Sequence, residues 1–207
     1  MGAWYTFGYN LSKLLSRACF SFKVVHPGRI IETGGALLAM NHQSFLDPPL
    51  AGICCKREIY FLARKTLLDW PVLGPILPKL NVVPVNQDRA DMSALKTVIK
   101  LVRAGNCTII FPEGGRTEDG KLQPAQPGLG LIIAKTLVPV VPMRIFGAYE
   151  AFPMGAKYPK MRPITIVVGE PIIFTEADLA GGSGRDLYQR LSERVMERIA
   201  AIEYERP

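Results

Sequence analysis

Apolar positions along the chain alternate between two patterns. Ala36–Met40, Ile59–Ala63, Val82–Val85, Cys107–Phe111, Val138–Ile145 and Ile164–Val168 are short apolar runs separated by Gly, Pro, Asn and charged residues. Such runs predict β-strands. Between two of them Ala94, Leu95, Val98, Ile99 and Val102 recur at helical spacing, and the pattern stops at Gly105. Leu187, Leu191, Val195, Ile199 and Ile202 predict a closing helix, set off by the joint Gly181-Gly182-Ser183-Gly184. Strands alternating with helices predict an α/β fold, a single domain with a mixed, largely parallel sheet flanked by helices.

Ahead of the first strand, residues 4–22 form their own pattern. At 100° per residue Trp4, Phe7, Leu11, Leu14, Leu15, Ala18 and Phe22 share one face, with Thr6, Asn10, Lys13, Arg17 and Ser21 opposite. A stripe of aromatic and leucine residues opposite cations suits a helix lying in a membrane interface. It equally suits a helix packed on the domain. The pattern divides the chain into a helix over 1–22 and a domain over 23–207.

Composition narrows the setting. With 207 residues, 48% hydrophobic and 21% charged, the chain can bury a core without disulfides. The formal charge of +7 points to anionic partners, nucleic acid or lipid headgroups. The basic residues are scattered and the aromatics fall in apolar runs, which is not the pattern of a nucleic-acid-binding surface. Cys19, Cys54, Cys55 and Cys107 form no CxxC pair, and with only His26 and His42 beside them there is no zinc pattern. No secretory signal is evident and no apolar run is long enough to span a bilayer. The expectation is a protein with reduced thiols, peripheral or monotopic at the cytoplasmic face of a membrane.

In α/β sheets chemistry collects in the loops beyond the carboxyl ends of strands. Asn41-His42-Gln43-Ser44-Phe45-Leu46-Asp47 follows the first run, and Pro112-Glu113-Gly114-Gly115-Arg116-Thr117 follows the fourth. Pro48 disfavours a helical Asp47, so Asp47 is expected to cap a helix that Pro48 opens. The loop can then fold His42 back over the carboxylate, which would fix the imidazole tautomer and leave the other nitrogen as a base. The plainer alternative is a capping aspartate and a polar loop histidine. Ser44 lacks the setting of a hydrolase nucleophile and is expected to hydrogen-bond within the loop. In the second loop, Gly114 and Gly115 allow close backbone approach to a ligand. Arg116 offers a planar fork for phosphate. Glu113 would order the loop, or hold Arg116 and a hydroxyl. A glycine turn with a surface ion pair would look the same. Cys54 and Cys55, in an apolar helical setting, are expected as core residues rather than nucleophiles. Arg64 and Lys65 could meet an anionic headgroup or lie on a solvated face, and Leu67, Leu68 and Trp70 could border an acyl channel or be core.

These blocks resemble the glycerolipid acyltransferases, the family that includes 1-acylglycerol-3-phosphate acyltransferases. The histidine and aspartate of Asn41–Asp47, four residues between them, match its first block. Phe111-Pro112-Glu113-Gly114-Gly115-Arg116-Thr117 resembles the third block, with Gly115 where threonine is usual. Val83-Pro84-Val85-Asn86-Gln87-Asp88-Arg89 is similar to the second, although Gln87 replaces the usual arginine and Arg89 is the candidate substitute. Val138-Pro139-Val140-Val141-Pro142 is similar to the fourth, associated with the acyl-binding side. The resemblance runs from about Phe22 to Phe174.

It implies direct transfer of a fatty acyl group from acyl-CoA or acyl carrier protein to a lysophospholipid hydroxyl, best matched by 1-acylglycerol-3-phosphate giving phosphatidic acid. His42 and Asp47 would be catalytic; Glu113, Gly114, Gly115, Arg116 and Arg89 would bind substrate. Neither metal nor cofactor is implied beyond the thioester co-substrate. The implied partners are membrane lipids, the lysophospholipid and the acyl donor, without nucleic acid. Another lysolipid such as a lyso-amino lipid, or a non-catalytic membrane-surface module, is the competing reading.

Overall fold

The computed structural model describes residues 1–71, 74–85 and 92–205. Seven strands form one sheet: β1 Lys23–Val25, β2 Ala36–Met40, β3 Ile59–Arg64, β4 Val82–Val85, β5 Cys107–Ile110, β6 Val140–Phe146 and β7 Thr165–Val168. Across it they run β1-β7-β6-β2-β5-β3-β4. Every neighbouring pair is parallel except β6 and β7, which are antiparallel. The helices are α1 Ala3–Phe20, α2 Asp47–Gly52, α3 Met92–Arg103, α4 Gly128–Thr136, α5 Ala148–Ala151 and α6 Gly184–Ala200. The expected mixed, largely parallel sheet is present.

Strand β2 shows why the central runs are apolar at every position. Ala36, Leu38 and Met40 face a core completed by Leu50 and Ala51 of α2 and by Phe20 of α1. Leu37 and Ala39 face a second core built from Val98 of α3, Leu129, Ile132 and Ile133 of α4, and Leu191 and Val195 of α6. Successive side chains point to opposite faces, so a strand covered on both sides must be apolar throughout.

Three elements fall outside the expected set, the four-residue helix α5 among them. Strand β1 has three residues and pairs with β7; it is too short to leave a pattern. Helix α4 begins Gly-Leu-Gly and buries Leu129, Gly130, Leu131, Ile132 and Ile133 in succession, so it carries no polar stripe. Gly130 sits where a Cβ would be 1.8 Å from the Tyr188 carbonyl oxygen, and its N–H donates to Ser192 Oγ at 2.8 Å. The missing side chain lets α4 and α6 touch.

Helix α1 packs through a face distinct from its apolar stripe. Tyr5, Ser16 and Phe20 are buried, and the Tyr5 hydroxyl accepts the Ile59 N–H at 3.1 Å. Trp4, Phe7, Leu11, Leu14 and Leu15 remain exposed, Leu14 at 66%. One face of the helix therefore belongs to the core, as a helix packed on the domain requires, and an apolar face is left open. No described helix is long and apolar enough to cross a membrane.

Candidate active site

Because β2 and β5 are parallel neighbours, their carboxyl ends lie at one edge and the loops 41–46 and 111–117 emerge side by side. Two backbone links join them. The His42 N–H donates to Glu113 Oε1 at 3.1 Å, and the Thr117 N–H donates to the His42 carbonyl at 2.9 Å. The next strand, β3, ends at Arg64 on the same side.

Asp47 is fully buried, and its Oδ2 lies 2.7 Å from His42 Nδ1. The same oxygen accepts the N–H groups of Gln43 and Ser44. This corrects the expected cap. Asp47 is the first residue of α2, Leu46 holds the cap position, and no side-chain cap bond forms. The carboxylate reaches backward into the loop because its N–H donors lie there, and they wrap residues 42–44 around it. Pro48 occupies the first turn, where its missing N–H costs no helical bond. Asp47 Oδ1 has no hydrogen-bond partner among the described residues.

The imidazole of His42 is held from a second direction by Phe111, whose ring stacks on it at 3.9 Å with 15° between planes. Nδ1 is committed to Asp47, so Nε2 is the nitrogen left to take a proton. Ser44 acts within the framework as expected: its hydroxyl donates to the Phe152 carbonyl at 2.8 Å and accepts the Leu46 N–H.

Glu113 does not pair with Arg116. Its Oε1 serves the His42 N–H, its Oε2 is buried without a partner among the described residues, and the residue is 8% exposed. Burial pushes its carboxyl up to about 7; the backbone N–H groups of His42 and Gln123 pull it back, and the Asp47 charge adds to the rise. Arg116 instead stacks over the Phe45 ring, 3.6 Å from its centroid, with Nη1 buried and without a hydrogen-bond partner among the described residues. Burial, and after it the nearby charge of Arg64, pushes its guanidinium below the usual range, while Asp47 opposes this. Arg116 thus lies against an aromatic ring and near a second arginine, in no ion pair with a described acid.

Gly114 has φ +75, which its place in the turn requires, and Gly115 has nothing within 4 Å of its Cβ position. Open space at Gly115 leaves the backbone accessible beside Arg116. Arg89, with Gln87, lies outside the described residues. The fourth block holds Val140 and Val141 with no exposed surface, inside β6. Cys54, Cys55 and Cys107 are buried and their thiols pushed far up by desolvation, so none is a ready nucleophile. Trp70 is half exposed. Phe45 and Phe111 are the site residues the sequence reading passed over; each is an aromatic at a strand-end loop directly beside a polar motif.

The model of the Acyltransferase family matches residues 21–146, which span both loops and the strands that carry them. The chain belongs to the acyltransferase family. It is 33% identical over 150 residues to a chloroplastic 1-acyl-sn-glycerol-3-phosphate acyltransferase of Brassica napus, covering 70% of this chain and 43% of that protein. It is 26% identical over 200 residues to the 1-acyl-sn-glycerol-3-phosphate acyltransferase of Bacillus subtilis (strain 168), with 96% of each covered. The chain thus spans under half the plant relative's length and nearly all of the bacterial one. The crystal structure of the 1-acyl-sn-glycerophosphate acyltransferase PlsC from Thermotoga maritima superposes with a TM-score of 0.71 at 26% identity, covering 94% of this chain and 76% of that one. In this member of the family the imidazole, its buried carboxylate and Arg116 share one edge of the sheet.

Proposed function

We propose that the protein is an O-acyltransferase moving a fatty acyl group from acyl-CoA or acyl carrier protein to the hydroxyl of a lysophospholipid, with 1-acylglycerol-3-phosphate as acceptor and phosphatidic acid as product. The observation that carries this reading is the His42–Asp47 pair, with Nε2 uncommitted, beside an Arg116 that forms no ion pair with a described acidic residue. His42 Nε2 takes the acceptor hydroxyl proton as the oxygen attacks the thioester carbonyl. Asp47 holds the ring and stabilises the imidazolium. The tetrahedral intermediate collapses with cleavage of the C–S bond, and the imidazolium returns its proton to the departing thiolate. No acyl-enzyme, metal or cofactor is needed.

Arg116, with Arg64 at the end of β3, attracts the acceptor phosphate. The backbone N–H groups of Gly115 and Arg116 donate to no described residue and are the candidate donors to the oxyanion; one such donor contributes roughly 3 kcal/mol in other enzymes. Glu113 holds the His42 backbone from behind. Arg89 is retained as an acceptor-binding candidate on sequence alone. The exposed stripe of α1, on a helix that also carries Lys13 and Arg17, supports work at a membrane surface, which we assign to the cytoplasmic face.

A non-catalytic membrane module would share the charge and the open face of α1. It has no use for a buried carboxylate aligning an imidazole. A different lysolipid, such as a lyso-amino lipid, would use the same base but not the guanidinium of Arg116. The test is a panel of lysolipids offered with palmitoyl- and oleoyl-thioesters and read by lipid mass spectrometry. Phosphatidic acid should form fastest, and a phosphate-free monoacylglycerol should be used poorly. Equal use of both acceptors, or thioester hydrolysis alone, would refute the assignment.

A further inference from the structure

The segment between α5 and β7, residues 152–163, is anchored at both ends to parts of the molecule already described. At its start the Phe152 carbonyl accepts the Ser44 hydroxyl, and the Phe152 ring lies 6.1 Å from that of Phe45, the ring beneath Arg116. At its finish the Ile164 N–H donates to the carbonyl of Phe20, the last residue of α1. Phe146 of β6 pairs with Thr165 of β7, so the segment leaves and rejoins the sheet at the edge where the His42 loop emerges. It bridges the candidate active site and the carboxyl end of α1.

Its side chains are unusual for a surface loop. Met154, Tyr158 and Met161 are exposed at 43%, 70% and 79%, although each could have been polar at no cost to the core. Lys157, Lys160 and Arg162 alternate with them and are also exposed. No Asp or Glu occurs from Ala151 to Gly169, so nothing within the stretch offsets three cations. Lys157 lies 5.4 Å from the centre of the Tyr158 ring. Short internal bonds, such as Ala156 N–H to the Pro153 carbonyl and Lys160 N–H to the Ala151 carbonyl, satisfy part of the backbone. Apolar tips among cations that form no ion pair with a described residue match a bilayer interface, where the tips enter the headgroup boundary and the cations meet anionic lipid.

We propose that residues 153–163 are a second membrane contact, which docks on anionic lipid together with the open face of α1 and sets the mouth of the active site against the bilayer. Charge complementarity and direct continuity with α1 favour lipid over an acidic protein partner. The inference rests on the acyltransfer reading only in requiring access to a lipid acceptor. Its readout is binding, so a chain that docks on vesicles yet transfers no acyl group would sink that reading and leave this contact standing.

The test uses the full chain and vesicles of phosphatidylcholine with and without phosphatidylglycerol. Tyr158→Ser/Met161→Ser should weaken binding to both. Lys157→Gln/Lys160→Gln/Arg162→Gln should lose most of the gain that phosphatidylglycerol gives, roughly tenfold or more in partition coefficient. Turnover of a soluble short-chain acceptor should not change in either. Tyr158→Trp, in a Trp4→Phe/Trp70→Phe background, should be quenched by brominated lipid. Wild-type partitioning of both loop variants, or a residue-158 tryptophan that brominated lipid leaves unquenched, would overturn the proposal. So would intact vesicle binding with turnover lost only for an acyl-carrier-protein donor, which would give the loop to an acidic protein.

Discussion

Asp47 Oδ2 gathers three donors at once: His42 Nδ1 at 2.7 Å and the N–H groups of Gln43 and Ser44. One buried oxygen thus shapes the loop and fixes the ring. The two jobs separate in Asp47→Asn, whose carbonyl oxygen can keep the backbone bonds but carries no charge to support an imidazolium. Turnover should fall by roughly a hundredfold to ten-thousandfold, with the apparent KM for the acceptor little changed and the melting temperature within a few degrees of wild type. Wild-type turnover in the folded variant would leave Asp47 a loop-shaping residue only.

Arg116→Lys tests the anion site. The fork and its stack on Phe45 are lost together, and Glu113 is not a partner whose release would unsettle the loop. The specificity constant for 1-acylglycerol-3-phosphate should drop about tenfold to a hundredfold, the value of one charged hydrogen bond. The donor's KM and the melting temperature should hold. A monoacylglycerol should be indifferent to the change, and equal losses on both acceptors would remove the phosphate from Arg116.

Glu113 makes stability depend on pH. Its carboxyl is raised to about 7 by burial, so the folded protein binds this proton more tightly than the unfolded chain does. The contribution is present in full below the unfolded value near pH 4.5 and is lost as pH rises through 7. Glu113→Gln carries no such proton. Between pH 5 and 8 it should gain on wild type, seen as a melting temperature that falls less with pH. Parallel melting curves across that range would mean the carboxyl is not raised.

Gly130→Ala tests the contact between α4 and α6. A Cβ placed 1.8 Å from a backbone oxygen cannot be accommodated by a rotamer change, so the helices must part. The loss should reach about 2–3 kcal/mol in denaturant unfolding. A loss no larger than that of an ordinary surface change would mean the helices are not in contact there.

What the sequence showed and what it hid follow from packing. The runs that became β2 and β5 were legible because strands buried on both faces are apolar at every position, and the partly buried β3 and β4 stood out as short apolar runs. Helix α4 was hidden by the same burial, since a helix covered all round has no amphipathic period, and Gly128 and Gly130 read as breakers. The apolar stripe of α1 was read correctly, but the core takes Tyr5 and Phe20 on another face. His42, Asp47, Glu113 and Arg116 were visible as residue types in loops after strands. Their connections were not. That Glu113 serves His42 rather than Arg116, and that Phe45 and Phe111 hold the two side chains, depends on β2 and β5 being neighbours, which no local pattern encodes.

The central claim is that His42 removes the acceptor proton in acyl transfer to a lysophospholipid. The most direct measurement follows a labelled acyl group from its thioester to 1-acylglycerol-3-phosphate, with wild type and with His42→Ala matched in melting temperature. Labelled phosphatidic acid should form with the wild type and fall to near background in the variant, because Asp47 then has no imidazole to orient. Transfer by folded His42→Ala at the wild-type rate would contradict the account.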